Sequence, residues 1–142
     1  MTRELDTLFR QYETAFNDLD LKTISGFYAD TFISAGPKGS IAANQQDLSK
    51  RAEGSASFYR SIGLNSARII SKRVMPICDE YSMVVVRWGL TFEKTGTKPI
   101  EFDITYIVQE RATDPRIILF ISHEDEEVVM KKFGLIPKIA SE

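Results

Sequence analysis

Apolar residues first recur along the chain at helical spacing. Leu5, Leu8, Phe9, Tyr12, Phe16 and Leu19 form one stripe over about five turns, which predicts an amphipathic helix from about residue 2 to 18. Asp20 then stands as the cap of a short helix from Leu21 to about Tyr28, with Leu21 and Ile24 turned inward. Thr31 to Ala35 reads as a short strand, stopped by Gly36-Pro37-Lys38-Gly39. A third helix is expected to start between Ser40 and Asn44 and to end at Gly63, with Leu48, Ala52, Ala56, Tyr59 and Ile62 as its stripe. Gly54, inside that stripe, marks a possible kink.

After Gly63 the period changes. Leu64–Ile77, Tyr81–Glu93, Ile100–Arg111 and Arg116–His123 are β-branched and aromatic runs. They are separated by Cys78-Asp79-Glu80, Lys94-Thr95-Gly96-Thr97 and Ala112-Thr113-Asp114-Pro115. Four long strands with short connections predict an antiparallel meander. Helices first and strands later is an α+β pattern. Long antiparallel strands coil, so the expected fold is a strongly curved antiparallel sheet with the N-terminal helices on its concave face. Both faces of the last strand are apolar, Ile117, Leu119 and Ile121 on one and Ile118 and Phe120 on the other. The outer face is therefore expected to bury in a homodimer through the sheet.

Composition narrows the class. The hydrophobic fraction of 43% beside 27% charged residues is that of a soluble globular domain, taken as one unit over residues 1–142. No apolar run approaches the ~18 residues that span a bilayer, so no membrane partner is expected and cytoplasmic residence is the default. The net charge is -2 with scattered Lys and Arg, which argues against a nucleic-acid partner. Cys78 is the single cysteine, so neither an internal disulfide nor a multi-cysteine metal site is available. No cofactor is expected, since no Gly-rich phosphate loop or flavin fingerprint occurs.

The chemistry-bearing candidates gather late in the chain. His123 is the sole histidine and precedes Glu124-Asp125-Glu126-Glu127. The alternation of Ile117, Leu119 and Ile121 makes His123 the end of a strand, and the acids then complement the dipole of a closing helix. Ser122 is expected to cap that helix, Val129, Met130 and Phe133 to form its buried side, and Gly134 to stop it. Ligands spaced to converge are lacking, so no metal site is expected. His123 remains a candidate general acid or base with Asp103, Glu124 or Asp125 as partner. Sheet register decides which candidates share the concave face. One register turns Trp88, Leu90, Phe102, Ile104 and Tyr106 inward; a slip by one residue would turn Arg87 and Asp103 inward instead. The aromatic register is preferred, because an enclosed face takes aromatics over unpaired charge.

The stretch "YETAFNDLDLKTISGFYADTFISAGPKG" resembles the opening of the NTF2-like superfamily, and "FYRSIG" and "DPRIILFISHEDE" are similar to its third helix and closing strand. The superfamily has a cone-shaped, cystatin-like α+β fold and includes SnoaL-type cyclases, scytalone dehydratase and ketosteroid isomerase. The resemblance to ketosteroid isomerase implies pocket phenols at Tyr12, Tyr28 and Tyr59. It also places a base carboxylate near Ala35-Gly36 and a second acid near Tyr106, and neither carboxylate is present. Without a base, steroid-type isomerisation is not expected. The expected ligand site is Tyr12, Tyr28, Tyr59, Trp88, Phe102, Tyr106 and Phe120, holding a small hydrophobic or aromatic carbonyl or hydroxyl compound. Two alternatives stay open. One is a SnoaL- or dehydratase-type enzyme using His123 with Asp103. The other is a protein-binding module whose cavity is filled by its own side chains.

Overall fold

The computed structural model describes residues 3–110 and 114–136; the strand end expected at Arg111 and the turn expected at Ala112-Thr113 lie outside them. The elements run α1 (Arg3–Asn17), α2 (Leu21–Ser25), β1 (Tyr28–Gly36), β2 (Gly39–Asn44), α3 (Gln45–Ser61), β3 (Leu64–Cys78), β4 (Tyr81–Phe92), β5 (Ile100–Gln109), β6 (Arg116–Ser122) and α4 (Glu126–Lys132), with a 3-10 turn at Glu93–Thr95. The strands form one six-stranded sheet in the order β2-β1-β6-β5-β4-β3. Pairing is antiparallel except between β1 and β6, which are parallel.

The expected α+β architecture is present, with four departures in the detail. Residues 28–44 form a longer first strand and a second one paired to it through Pro37 and Lys38. Tyr28 therefore begins β1 instead of ending α2. The short Ser40-Ile41-Ala42-Ala43 run has too few residues to show its alternation before Asn44 caps α3 by accepting from the Asp47 amide at 2.8 Å. The parallel pairing of β1 onto β6 cannot be read from a meander pattern, because it joins segments far apart in sequence. Gly54 neither breaks nor ends α3, which continues to Ser61. Asp125, not Ser122, caps α4 through the Glu127 and Val128 amides.

The two helix ends that need a left-handed residue have glycine there, Gly63 at φ 77° and Gly134 at φ 74°. Register breaks in β3 at Leu64/Ser66, Ile69/Ser71 and Pro76/Cys78 bend the sheet into a trough, since each extra residue kinks its strand. The concave side carries cross-strand rows. Val74, Val84, Tyr106 and Phe120 make one, Ile69, Trp88 and Phe102 another, and Ala67, Leu90 and Ile100 a third. The inward-aromatic register therefore holds.

Helix α1 roofs the trough and also closes its open edge. Strand β3 ends the sheet, and its amides at Ala67 and Ile69 donate to Asn17 Oδ1 at 3.0 Å and Glu13 Oε2 at 2.6 Å. Lys72 Nζ adds a 2.9 Å bond to Asp6. Edge amides that would otherwise template aggregation are thus used within the chain. Leu5, Leu8, Phe9 and Tyr12 bury against the sheet. Phe9 meets Tyr106 edge-on at 5.2 Å, and Tyr12 meets Trp88 at 5.5 Å.

On the outer side Gly89 has a packing role. A Cβ there would stand 2.5 Å from Ile70 Cδ1, 3.0 Å from Ile70 Cγ1 and 3.2 Å from Pro99 Cβ. Gly89→Ala is expected to lower stability by about 1–3 kcal/mol through this overpacking, measured by urea denaturation. Unchanged stability would show that the Ile70–Pro99 contact yields freely.

Candidate functional site

The phenols predicted for the pocket come together, but as packed core. Trp88 Nε1–H donates to the Tyr106 hydroxyl at 3.0 Å. The Tyr12 and Tyr28 hydroxyls bond each other at 2.9 Å. The Tyr12 and Tyr106 rings lie 5.8 Å apart, edge to face, and their hydroxyls influence each other's ionisation. Tyr28 continues the stack to Phe32 at 4.6 Å and to Phe120 at 5.9 Å. Burial pushes the hydroxyls of Tyr12, Tyr28 and Tyr106 well above the ordinary phenol value, with neighbouring phenols adding to the shift. They are therefore neutral hydrogen-bonding groups, and no buried side-chain polar atom among the described residues lacks a partner.

Open space lies instead toward the mouth of the trough, under α4. There a void of about 30 Å³ is walled by Leu90, Phe92, Ile100, Phe102 and Ile104 from the sheet and by Val129 and Met130 from α4. Its polar lining is Ser122, Glu124 and Glu126. Two surface grooves flank it. One of about 700 Å³ runs between α3 and α4 past Phe58, Tyr59 and Met130, and one of about 460 Å³ runs between the β1–β2 turn and residues 122–126. Glu126 lines all three spaces. It is the partition between inside and outside.

Glu126 heads α4, and its carboxylate accepts a short hydrogen bond from the Tyr59 hydroxyl. The residue as a whole is exposed, and its carboxylate meets the Tyr59 hydroxyl. Burial of that carboxylate raises its pKa from the ordinary glutamate value, and the Tyr59 bond opposes the rise. Tyr59 is itself pushed up, by burial first and by the Glu126 charge second. Two further ties hold α4 down: Lys38 Nζ to Asp125 at 3.1 Å, and Lys94 Nζ donating to the Gly134 carbonyl at 2.5 Å.

His123 and Asp103 also come together, but on the outer face of the sheet. His123 Nε2 lies 2.7 Å from Thr105 Oγ1, and its amide donates to the Asp103 carbonyl at 3.1 Å. Asp103 is held by Arg87 through two bonds of 2.9 and 3.0 Å. That pairing, followed by burial and the nearby His123, sets its pKa, with a net lowering. None of these residues lines the void. His123 and Asp103 are thus neighbours through the backbone on the face away from the phenols, while the His123 ring bonds Thr105 and the Asp103 carboxylate bonds Arg87. Among the described residues no three of His, Cys, Asp and Glu converge as metal ligands, and no helix is long and apolar enough to cross a membrane.

Of the expected ligand residues, Phe102 lines the void, Tyr59 and Phe120 line its flanking grooves, and Tyr12, Tyr28, Trp88 and Tyr106 lie in the packed interior. Glu126 was missed, being read only as a dipole complement. The signal was its position three and four residues before Val129 and Met130, which puts a carboxylate at the head of the buried stripe.

Residues 3–125 match the profile of a family described as NTF2-like protein (DUF6841). Several solved structures share the fold. An NTF-2 like protein of unknown function from Shewanella oneidensis superposes with a TM-score of 0.67 at 18% identity, covering 85% of this chain and 97% of that one. An NTF2-like protein of unknown function from Pseudomonas putida gives 0.68 at 12% identity, covering 88% of each chain. A protein of unknown function with a cystatin-like fold from Nostoc punctiforme gives 0.64 at 11% identity, covering 87% of this chain and 90% of that one. No curated protein matches the sequence.

Replacing Tyr106 by Phe removes the acceptor of the buried Trp88 N–H and should cost about 1–3 kcal/mol. Equilibrium unfolding followed by Trp fluorescence measures it, and a cost near zero would mean the indole finds another partner.

Proposed function

The chain belongs to the NTF2-like family DUF6841, and within that fold we propose that it binds a small hydrophobic or aromatic molecule at the mouth of the cone, beneath α4. The observation that carries this reading is the apolar void with a polar rim of Ser122, Glu124 and Glu126, the last of which is bonded to Tyr59 from the adjoining groove. A binding site of this kind is apolar with a few converging polar groups. Tyr59 can donate to a carbonyl, and a hydroxyl can satisfy Tyr59 and Glu126 together. The void holds about 30 Å³, so a molecule larger than water enters by displacing Met130 and lifting α4. Once Glu126 moves, the void joins both flanking grooves, and that combined space is of ligand size.

Binding is favoured over proton-transfer catalysis by where the titratable groups lie. His123 and Asp103 sit on the outer face, and the Arg87 fork occupies the carboxylate that would serve as partner. The test is thermal shift with naphthyl ketones and alcohols on wild type, Tyr59→Phe and Met130→Trp. At a hundredfold excess over Kd, wild type should gain about 2.7 kcal/mol. Tyr59→Phe should bind more weakly, and Met130→Trp, which fills the void, should lose the shift. An equal shift in Met130→Trp would place binding elsewhere.

A homodimer through the outer sheet face is the second part of the proposal. Met75, Met83, Ile107, Leu119 and Ile33 stand in register across five strands, one continuous apolar row. Ile33, Ile70, Met75 and Ile121 on this face are 37–47% exposed. A second copy of the same face buries that row. Sedimentation should show a dimer for wild type and a folded monomer for Met83→Lys. A monomeric wild type at high micromolar concentration would refute it.

A further inference from the structure

Helix α4 is laid on a sheet that is complete without it. All six strands end by Ser122, and α4 pairs with none of them. Of its seven residues only Met130 is buried, with Val129 half-buried beside it. Helix α1, by contrast, buries Leu5, Leu8, Phe9, Tyr12 and Ala15. Lifting α4 therefore exposes little more apolar surface than Met130, whereas lifting α1 would expose five buried side chains. Side-chain ties from three separate elements hold α4 down. The Tyr59 hydroxyl of α3 donates to Glu126, Lys38 of the β1–β2 turn pairs with Asp125 at 3.1 Å, and Lys94 of the 3-10 turn donates to the Gly134 carbonyl at 2.5 Å. Lys38, Lys94 and Glu126 are exposed residues, so water competes for each tie. The pivot for such a movement is Glu124. On one side of it the His123 amide is fixed to the Asp103 carbonyl of β5 at 3.1 Å, and on the other Asp125 caps α4.

We propose that α4 is a hinged plug. In the unliganded chain it opens as one unit about Glu124 while the sheet and α1 stay folded, and in the shut state Met130 closes the mouth. A segment that buries little and is tied by exposed bonds opens at a lower free energy than the whole chain unfolds. Met130 and Glu126 both stand between the void of about 30 Å³ and the groove of about 700 Å³, and Glu126 also borders the groove of about 460 Å³. Their withdrawal joins the three spaces. The chain thus carries its own occupant of the mouth, and a ligand has to compete with Met130. That consequence rests on the binding function proposed above; the opening itself is a property of the chain alone.

Native-state hydrogen exchange, followed by NMR on the full chain, reads the opening with no ligand present. The amides of Val129, Phe133 and Leu135 are bonded to the carbonyls of Asp125, Val129 and Met130. They should share one protection factor, at least about a hundredfold below that of the Val84 and Val86 amides of β4. Tyr59→Phe and Lys94→Ala should each lower the shared α4 value about three- to tenfold and leave β4 unchanged. Protection of α4 as high as that of β4 overturns the plug, and so do three unequal values, which mark fraying residue by residue. Variants that both exchange as wild type overturn it too, as does a loss of protection shared equally by β4, which marks a weaker fold overall. Because no ligand is added, a failure of every probe to bind overturns the binding function and leaves these rates as they are.

Discussion

A buried indole N–H must have an acceptor, and this single requirement organises the interior. Trp88 is fully buried in the middle of β4, where its N–H donates to the Tyr106 hydroxyl on the neighbouring strand. Indole nitrogen donates and never accepts, so Tyr106 must take that bond and pass its own proton on. Tyr12 is the neighbour whose hydroxyl it perturbs, and Tyr12 bonds Tyr28. Four aromatic residues from α1, β1, β4 and β5 are thereby fixed together. Helix α1 can cross the sheet only where Tyr12 and Phe9 meet Trp88 and Tyr106.

That packing explains why the open space lies where it does. The narrow part of the cone is filled by rings whose hydroxyls satisfy one another, leaving no unmet polar atom for a ligand to address. At the wide end the sheet continues past the reach of α1, and Leu90, Phe92, Phe102 and Ile104 would face water. Helix α4 covers them, contributing Met130 fully and Val129 in part. A seven-residue helix is too short to hold itself by backbone bonds alone. Its placement depends on the Tyr59–Glu126 bond and the two lysine ties. The cover over the void is thus held by side chains more than by its own backbone.

The outer face follows a different logic. Its apolar row spans five strands, while the next but one carries Arg87 and Asp103. The Arg87–Asp103 fork is half exposed, so water screens it and it adds little to stability. It is better understood as charge matched so that it does not disturb an otherwise apolar surface. His123 and Thr105 lie between the two rows. The NTF2-like fold therefore presents two separate surfaces here, one enclosed at the mouth of the trough, the other open and apolar on the outer side of the sheet.

Periodicity determined the helix stripes, the four long strands and the turns at Gly and Pro, and the burial cost of charge chose the inward aromatic register. Those depend on local geometry and on the cost of burying charge, which every residue carries with it. The β1–β2 hairpin was too short to show its alternation, and the parallel pairing of β1 with β6 depends on a long-range contact that no local pattern encodes. Tyr12, Tyr28 and Tyr106 were legible as neighbours, but whether they line a hollow or fill it depends on how closely α1 approaches the sheet. The partner of Glu126 was equally hidden. Tyr59 lies 67 residues away, and only the folding of α3 and α4 across the same mouth brings a phenol onto that carboxylate.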